Sequence, residues 1–124
     1  MQRAPGLYYG PSDIHGRGVF CAHPLTRGDI IEICPVIVLS TKEIDLLSHS
    51  RLFEYYFLWD EQHDKCAIAL GYGSLYNHSV SPNAEFTPDY GDDTNIFIAM
   101  QEIEAGEEIT VDYQAGAAVR ALWF

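Results

Sequence analysis

Basic residues are scarce in this chain of 124 residues. Seven Lys and Arg stand against 18 Asp and Glu, which gives a formal net charge of −11. This scarcity disfavours direct binding to nucleic acid, because phosphate recognition requires clustered basic side chains. The acidic excess favours a basic partner, such as a lysine-rich peptide, although ordinary solubility would also explain it.

Long apolar runs are also missing. No segment approaches the ~20 apolar residues of a membrane-spanning helix, and Glu32 and Pro35 interrupt the most apolar stretch, Ile30–Leu39. Residues 1–6 lack the apolar stretch of a signal peptide. The sequence therefore predicts an intracellular protein without a membrane partner, either cytoplasmic or, in a eukaryotic or viral setting, nuclear.

Cysteine is too rare for a disulfide framework. Cys21, Cys34 and Cys66 are scattered and form no C-x-x-C pair. They are typical of free thiols in a reducing compartment, and no structural zinc site is expected.

The residue pattern predicts one mostly β domain over residues 1–124, since no repeat, linker or low-complexity block divides the chain. The spacing of Ser40 and Glu43 is that of a capping box, which predicts one short helix, and a second is possible. Pro35 implies an edge position or a bulge in its strand. Taken alone, the pattern favours a small sandwich or barrel, with strands at residues 19–22, 29–39, 52–59, 66–70, 84–87, 95–100 and 107–111.

Several familiar sites are excluded by the spacing of their motifs. Gly16-Arg17-Gly18 is followed by Cys21 where a dinucleotide-binding fingerprint requires a third glycine. The sequence has neither a P-loop nor an H-E-x-x-H zinc motif. A hydrolase built from Cys66 and His78 is conceivable, but no nucleophile elbow accompanies them.

Three segments together carry a specific signal: residues 16–20 (GRGVF), 75–84 (LYNHSVSPNA) and 106–113 (GEEITVDY). In these residues, and in this order, the chain resembles the SET-domain family of protein-lysine methyltransferases. The first segment alone is weak evidence, whereas the second and third together are specific. The likeness covers about residues 7–113, leaves a short tail at 114–124, and is greatest to the compact single-domain members of bacteria and large DNA viruses.

The resemblance implies the fold, the activity and the cofactor. The SET-domain fold consists of small curved β-sheets in which the C-terminal segment passes under an earlier loop, an unusual pseudoknot. That topology would bring Asn77 and His78 beside Tyr113. The implied activity is transfer of a methyl group from S-adenosylmethionine to a lysine of a basic protein, such as a histone, with donor and peptide entering from opposite faces of a narrow channel.

The resemblance also assigns roles to individual residues. Tyr113 matches the catalytic tyrosine, and its hydroxyl would also lie beside the donor. Predicted walls of the lysine channel are Tyr55, Tyr72 and Val111, with Phe53, Tyr55 and Phe57 expected on one strand face. Without the motifs, each residue has a plainer explanation as a core side chain or a turn glycine. The predicted donor-binding residues are Gly16, Arg17, Gly18, Asn77, His78, Tyr113 and Trp123.

Two departures from larger family members shape the remaining expectations. No cysteine follows Tyr113, so the zinc-binding segment of many members is absent and no metal is expected. Trp123 or Phe124 is instead predicted to cover the adenine of the donor. The short stretch between Ser40 and Cys66 would cover little of a peptide groove, which favours a homodimer.

Two other functions remain open from the sequence. One is a catalytically silent SET module that binds a peptide or a partner protein. The other is methylation of an amine that is not part of a protein. Retention of Tyr113 together with Asn77 and His78 favours the enzyme over the silent module.

Overall fold

The computed structural model describes residues 3–60 and 64–113. Strands are the main regular structure of these residues, as the sequence predicts, with one short α-helix and one 3-10 helix. The elements in chain order are β1 (Leu7–Pro11), β2 (Arg17–Cys21), β3 (Ile30–Leu39), α1 (Thr41–Leu47), the 3-10 helix (Arg51–Glu54), β4 (Tyr56–Trp59), β5 (Lys65–Ala69), β6 (Asn77–His78), β7 (Ala84–Asp89), β8 (Thr94–Ala99) and β9 (Glu108–Val111).

The strands form two sheets, and the smaller one gathers the three sequence motifs. Its order is β1-β2-β9-β6. β9 pairs antiparallel with β2 on one side and parallel with β6 on the other, where His78 lies opposite Val111. The last of the described strands is thus inserted between the N-terminal hairpin and the Asn77–His78 segment, the neighbourhood that the family resemblance implied.

The larger sheet has the order β4-β5-β3-β8-β7, so β3 is its central strand. Pro35 was expected at an edge or a bulge, and both expectations are wrong. Residues 30–35 pair with β8 and residues 36–39 pair with β5, while the shift in register falls between Ile30 and Glu32. Pro35 is tolerated in a central strand because its missing N–H falls where β3 changes partners.

The strand predicted over residues 52–59 is wrong in its first half. Ser50 accepts the N–H of Leu52 through its side chain at 3.2 Å and begins the 3-10 helix. This local side-chain bond overrides the strand preference of the aromatic residues that follow. As a result Phe53, Tyr55 and Phe57 do not share one strand face.

One hydrophobic core joins the two sheets. Its fully buried members include Val19 of β2, Phe97 of β8 and Ile109 of β9. Tyr76 and Tyr113 belong to the same cluster, at 2% and 8% exposure. The polar atoms of these two tyrosines therefore lie among apolar side chains, where each of them requires a partner. None of the helices in the described part of the chain has the length and apolar character to cross a membrane.

Candidate functional site

Tyr113 lies two residues after the end of β9 and is held at both its hydroxyl and its backbone. The hydroxyl donates a hydrogen bond to the backbone carbonyl of Tyr76. The N–H of Tyr113 donates to Nδ1 of His78 at 3.2 Å. The ring lies against Phe57 and Phe86, with centroid distances of 5.5 and 6.0 Å. The structure thus brings together Tyr113 and His78, as the sequence predicts, and places the hydroxyl in an apolar, aromatic surrounding.

His78 connects β6 to the end of β9. Its ring is nearly parallel to that of Tyr113, at 6.3 Å and 20°. Nδ1 accepts the backbone N–H of Tyr113, so this nitrogen carries no proton while the bond is made. Nδ1 also lies 3.7 Å from Oδ1 of Asp112.

Asn77 is 5% exposed and its side chain ties the first motif to the third. The amide Nδ2 lies 3.0 Å from the carbonyl oxygens of both His15 and Arg17. It also lies 3.1 Å from Oγ of Ser12 and 2.7 Å from Oε2 of Glu108. Asn77 therefore acts in part as a brace for the loop that precedes β2.

Sequence reasoning missed Ser12 and Glu108. The Ser12 hydroxyl donates to Oε1 of Glu108 at 2.6 Å and accepts the N–H of Ile14 at 2.9 Å. Glu108 lies in the third motif, so its position was a usable signal, but nothing in the sequence indicates that its partner is 96 residues away. Together the two residues close the loop onto β9.

The two glycines of the first motif are required for different reasons. A Cβ on Gly18 would collide with the carboxylate of Glu108 and lie 3.2 Å from Nδ2 of Asn77. Gly16 has φ +48°, and a Cβ there would meet no heavy atom within 4 Å among the described residues beyond its two chain neighbours. Arg17 between them is exposed, with its guanidinium 5.7 Å from the ring centre of Tyr9. Gly16 is thus required by its backbone conformation, and Gly18 by the side chains that pack against it.

The predicted channel residues lie in three different settings. Tyr55 is half-buried and directly follows the 3-10 helix. Tyr72 lies under the guanidinium of Arg3 at 4.0 Å and packs edge-on against Tyr9 at 5.5 Å. Val111 is fully buried on β9.

Phe86, which the sequence did not single out, is one of the rings that contact Tyr113. Its alternation on β7 was the available signal, since residues two apart on a strand share a face. Trp123 and Phe124 lie outside the described residues.

Asn83 fastens the second motif to β9 through its side-chain amide. Its Oδ1 accepts the N–H of Thr110 at 2.8 Å, and its Nδ2 donates to the carbonyl of Glu108 at 2.9 Å. The side chain thus adds hydrogen bonds to the β9 backbone beyond those made with β2 and β6. It is 5% exposed, so these bonds satisfy buried backbone groups.

Cavities and metal-binding groups give little further information about this site. A cavity of about 440 Å³ opens at the other end of the β1–β2 hairpin, and neither Tyr113 nor His78 is among its lining residues. Within residues 3–60 and 64–113, no group of three His, Cys, Asp or Glu side chains is arranged to hold a metal ion.

Comparison with known proteins gives consistent matches. The family model for the SET domain matches residues 16–114. The chain is 34% identical over 99 residues to the Schizosaccharomyces pombe histone-lysine N-methyltransferase specific for H3 lysine-37, covering 79% of this chain and 66% of that protein. It is 30% identical to histone-lysine N-methyltransferase ATX2 of Arabidopsis thaliana, covering 87% of this chain and 11% of that protein. The chain therefore spans about two thirds of the first relative's length and a small part of the second's.

Among solved structures, a Plasmodium falciparum protein assigned as a candidate histone methyltransferase matches with a TM-score of 0.73. The sequences are 31% identical, and the match covers 94% of this chain and 97% of that chain. The similarity thus extends over nearly the whole of both folds.

Proposed function

The chain belongs to the SET-domain family, and on that premise we propose that it is a protein-lysine N-methyltransferase. The proposed donor is S-adenosylmethionine, and the proposed acceptor is a lysine side chain of a basic protein, such as a histone. The observation that carries the proposal is the Tyr113 hydroxyl, held on the carbonyl of Tyr76 beside His78 within the segment that the SET family model matches.

The reaction requires little covalent chemistry from the protein. S-adenosylmethionine supplies an electrophilic methyl group when it is bound. The neutral lysine nitrogen forms a bond to the methyl carbon while the carbon–sulfur bond breaks and its electron pair stays on sulfur. The methylated nitrogen then holds a positive charge, which it loses with a proton. The protein must align the two reactants and exclude water.

The surroundings of Tyr113 suit that task. Phe57 and Phe86 give the acceptor side an apolar lining, and such a lining favours the neutral amine over the ammonium. The hydroxyl of Tyr113 and the carbonyl of Tyr76 supply oxygen atoms at a fixed position. Oxygen atoms that point at a positively polarised methyl group stabilise the transition state electrostatically. On this proposal, Tyr55, Tyr72 and Val111 complete the channel.

The donor site is proposed at the loop before β2 and at β6. Gly16 would let the backbone approach the donor. Gly18 leaves room for the Glu108 carboxylate, and it belongs to the proposed donor site through the loop that Glu108 and Asn77 hold in place. His78 would contact the donor through the part of its ring not bound to Tyr113. Arg17 and Trp123 are included on the family resemblance alone.

Tyr113→Phe tests the proposal directly. The variant keeps the ring among its aromatic neighbours and loses only the hydroxyl. We therefore expect kcat to fall by about a hundredfold or more, with unchanged affinity for S-adenosylmethionine. Rates are measured with labelled S-adenosylmethionine and a panel of basic proteins that includes histones and ribosomal proteins, and affinity is measured by calorimetry.

The matched control is Tyr8→Phe, because Tyr8 is 41% exposed and has no part in the site. Equal rates for Tyr113→Phe and wild type would remove Tyr113 from the reaction. Folded wild-type protein that fails to bind the donor at millimolar concentration would refute the enzyme assignment. Donor binding without transfer to any protein or small amine would identify a catalytically silent module instead.

A further inference from the structure

A buried carboxylate in the larger sheet is connected to the hydroxyl of Tyr113 through Tyr76. Glu32 on β3 is 2% exposed, and the function proposed above gives it no role. We propose that Glu32 is a positioning residue for the Tyr113 hydroxyl and that it acts through Tyr76. The inference rests on the proposed catalytic role of Tyr113.

Tyr76 connects the two residues because it is held at both ends. Its hydroxyl donates to Oε1 of Glu32 at 2.8 Å. Its backbone carbonyl accepts the hydroxyl of Tyr113. Between these ends, its ring stacks on Phe97 at 4.2 Å and 16°. Whatever fixes the tip of the Tyr76 ring therefore helps to fix the carbonyl on which the Tyr113 hydroxyl rests.

The second oxygen of Glu32 is held just as firmly. Oε2 accepts Nη2 of Arg3 at 3.0 Å and Nε of Arg3 at 3.3 Å. It also accepts the backbone N–H of Tyr72 at 3.0 Å. Because both oxygens are bonded, the carboxylate has one orientation, and Arg3 compensates its buried charge.

The direction of the Tyr76–Glu32 bond is also constant. Burial, reinforced by the nearby Glu32, raises the pKa of Tyr76 well above its ordinary value. Burial and Glu32 raise the pKa of the neighbouring Cys34 thiol as well. Tyr76 therefore remains a phenol that donates, with no competing thiolate beside it.

A carboxylate adds something at this place that packing does not. A stacked ring can slide in its own plane with little loss of contact, whereas a hydrogen bond at its tip fixes its position along that plane. Small displacements of a group at the reacting centre lower rates by large factors. Breaking the Glu32–Tyr76 bond should therefore affect the chemical step more than ligand binding.

The first test is Tyr76→Phe, which removes the hydroxyl but keeps the ring and the backbone carbonyl. We expect kcat to fall about tenfold or more, with KM for the peptide and the donor Kd changed by less than about threefold. Glu32→Gln should act in the same direction. The double variant should be no slower than the slower single variant, because both changes break one bond.

Tyr8→Phe is the control, since that ring stacks on Phe20 at the surface and makes no contact with Tyr76 in this network. All rates are expressed per mole of folded protein. If Tyr76→Phe fails to fold, Glu32→Gln decides the question by the same measurements. A purely structural role predicts lower stability with unchanged kcat in the folded fraction, and that result would overturn the proposal.

A second readout does not depend on enzymatic activity. Tyrosine labelled with ¹³C at Cζ gives a resonance for Tyr113 that the Tyr113→Phe variant identifies. We expect this resonance to shift in Tyr76→Phe and in Glu32→Gln, and to stay in place in Tyr8→Phe. An unchanged resonance in both test variants would overturn the link. If the resonance shifts in both test variants but the wild-type protein transfers no methyl group, the proposed function is refuted and the link remains intact.

Discussion

Gly10 and Gly18 lie opposite each other on the β1–β2 hairpin, yet only one of them is sterically required. A Cβ at Gly10 would meet its nearest atom, on the Phe20 ring, at 4.0 Å. A Cβ at Gly18 would collide with Glu108 and crowd Asn77. The need for glycine is therefore set by the neighbour across the sheet, and the two positions form a matched pair for substitution.

Gly18→Ala should lower the free energy of unfolding by about 1–3 kcal/mol, because the carboxylate of Glu108 must move. It should also weaken donor binding, since Glu108 helps to hold the loop before β2. Gly10→Ala should change the free energy of unfolding by less than about 0.5 kcal/mol. Urea unfolding and calorimetry measure the two effects, and equal behaviour of both variants would contradict the steric argument.

At the scale of elements, β9 depends on the side chain of Asn83, which bonds backbone groups of Glu108 and Thr110 in addition to the strand pairing. Asn83→Ala leaves the N–H of Thr110 and the carbonyl of Glu108 without their bonds to this side chain. Each buried backbone group that is left without a hydrogen bond lowers the free energy of unfolding by about 1–3 kcal/mol. We therefore expect urea unfolding to show a loss of about 2–4 kcal/mol. Glu85→Ala, at an exposed position on β7, is the control, and a similar small effect in both would contradict this role.

Helix α1 gives a prediction about pH. The N–H and hydroxyl of Ser40 donate to the Glu43 carboxylate at 2.8 and 3.0 Å, and the backbone bond is the main cause that holds the pKa of Glu43 below its ordinary value of 4.5. A carboxyl whose pKa is lowered in the folded state stabilises the fold at pH values above its pKa in the unfolded state. That stabilisation disappears as the pH falls through the lower pKa of the folded state.

Glu43→Gln isolates the effect of the charge. Wild type should be the more stable protein at neutral pH, and the difference should shrink as the pH falls below 4.5. Urea unfolding midpoints across this range measure it. A difference that stays constant into strong acid would show that the carboxylate charge does not contribute.

At the scale of the whole molecule, residues outside the family match complete the site. The match begins at residue 16. Ser12, before it, bonds Glu108, and Arg3 bonds Glu32. The N-terminal segment is thus part of the structure that holds both the loop before β2 and, on the inference above, the hydroxyl of Tyr113.

The net charge of −11 predicts how the proposed enzyme responds to salt. An acidic surface attracts a basic peptide electrostatically. Salt screens this attraction, and the screening length is about 8 Å at physiological ionic strength. At low peptide concentration the rate should therefore fall as salt rises, while kcat at saturating peptide stays nearly constant. Initial rates at both peptide concentrations across a salt series measure this. A salt-independent rate at low peptide would leave solubility as the reason for the charge.

The sequence by itself determined the features that depend on neighbouring residues. The capping box at Ser40, the strands predicted at residues 84–87 and 95–100 and the mostly β character all follow from local patterns, and the three motifs indicated the family. Local patterns also misled. Ser50 turned the start of the predicted strand at residues 52–59 into a 3-10 helix, and β1 was not predicted because Gly10 and Pro11 are poor strand residues.

Only the tertiary structure decided which distant residues meet. The bond between Ser12 and Glu108 spans 96 residues, the one between Tyr76 and Glu32 spans 44, and the one between Arg3 and Glu32 spans 29. A buried carboxylate such as Glu32 has no signature in its own strand, because its burial is stable only when partners from other segments arrive. Such pairings are made by the folding of whole sheets against each other, so local sequence patterns do not encode them.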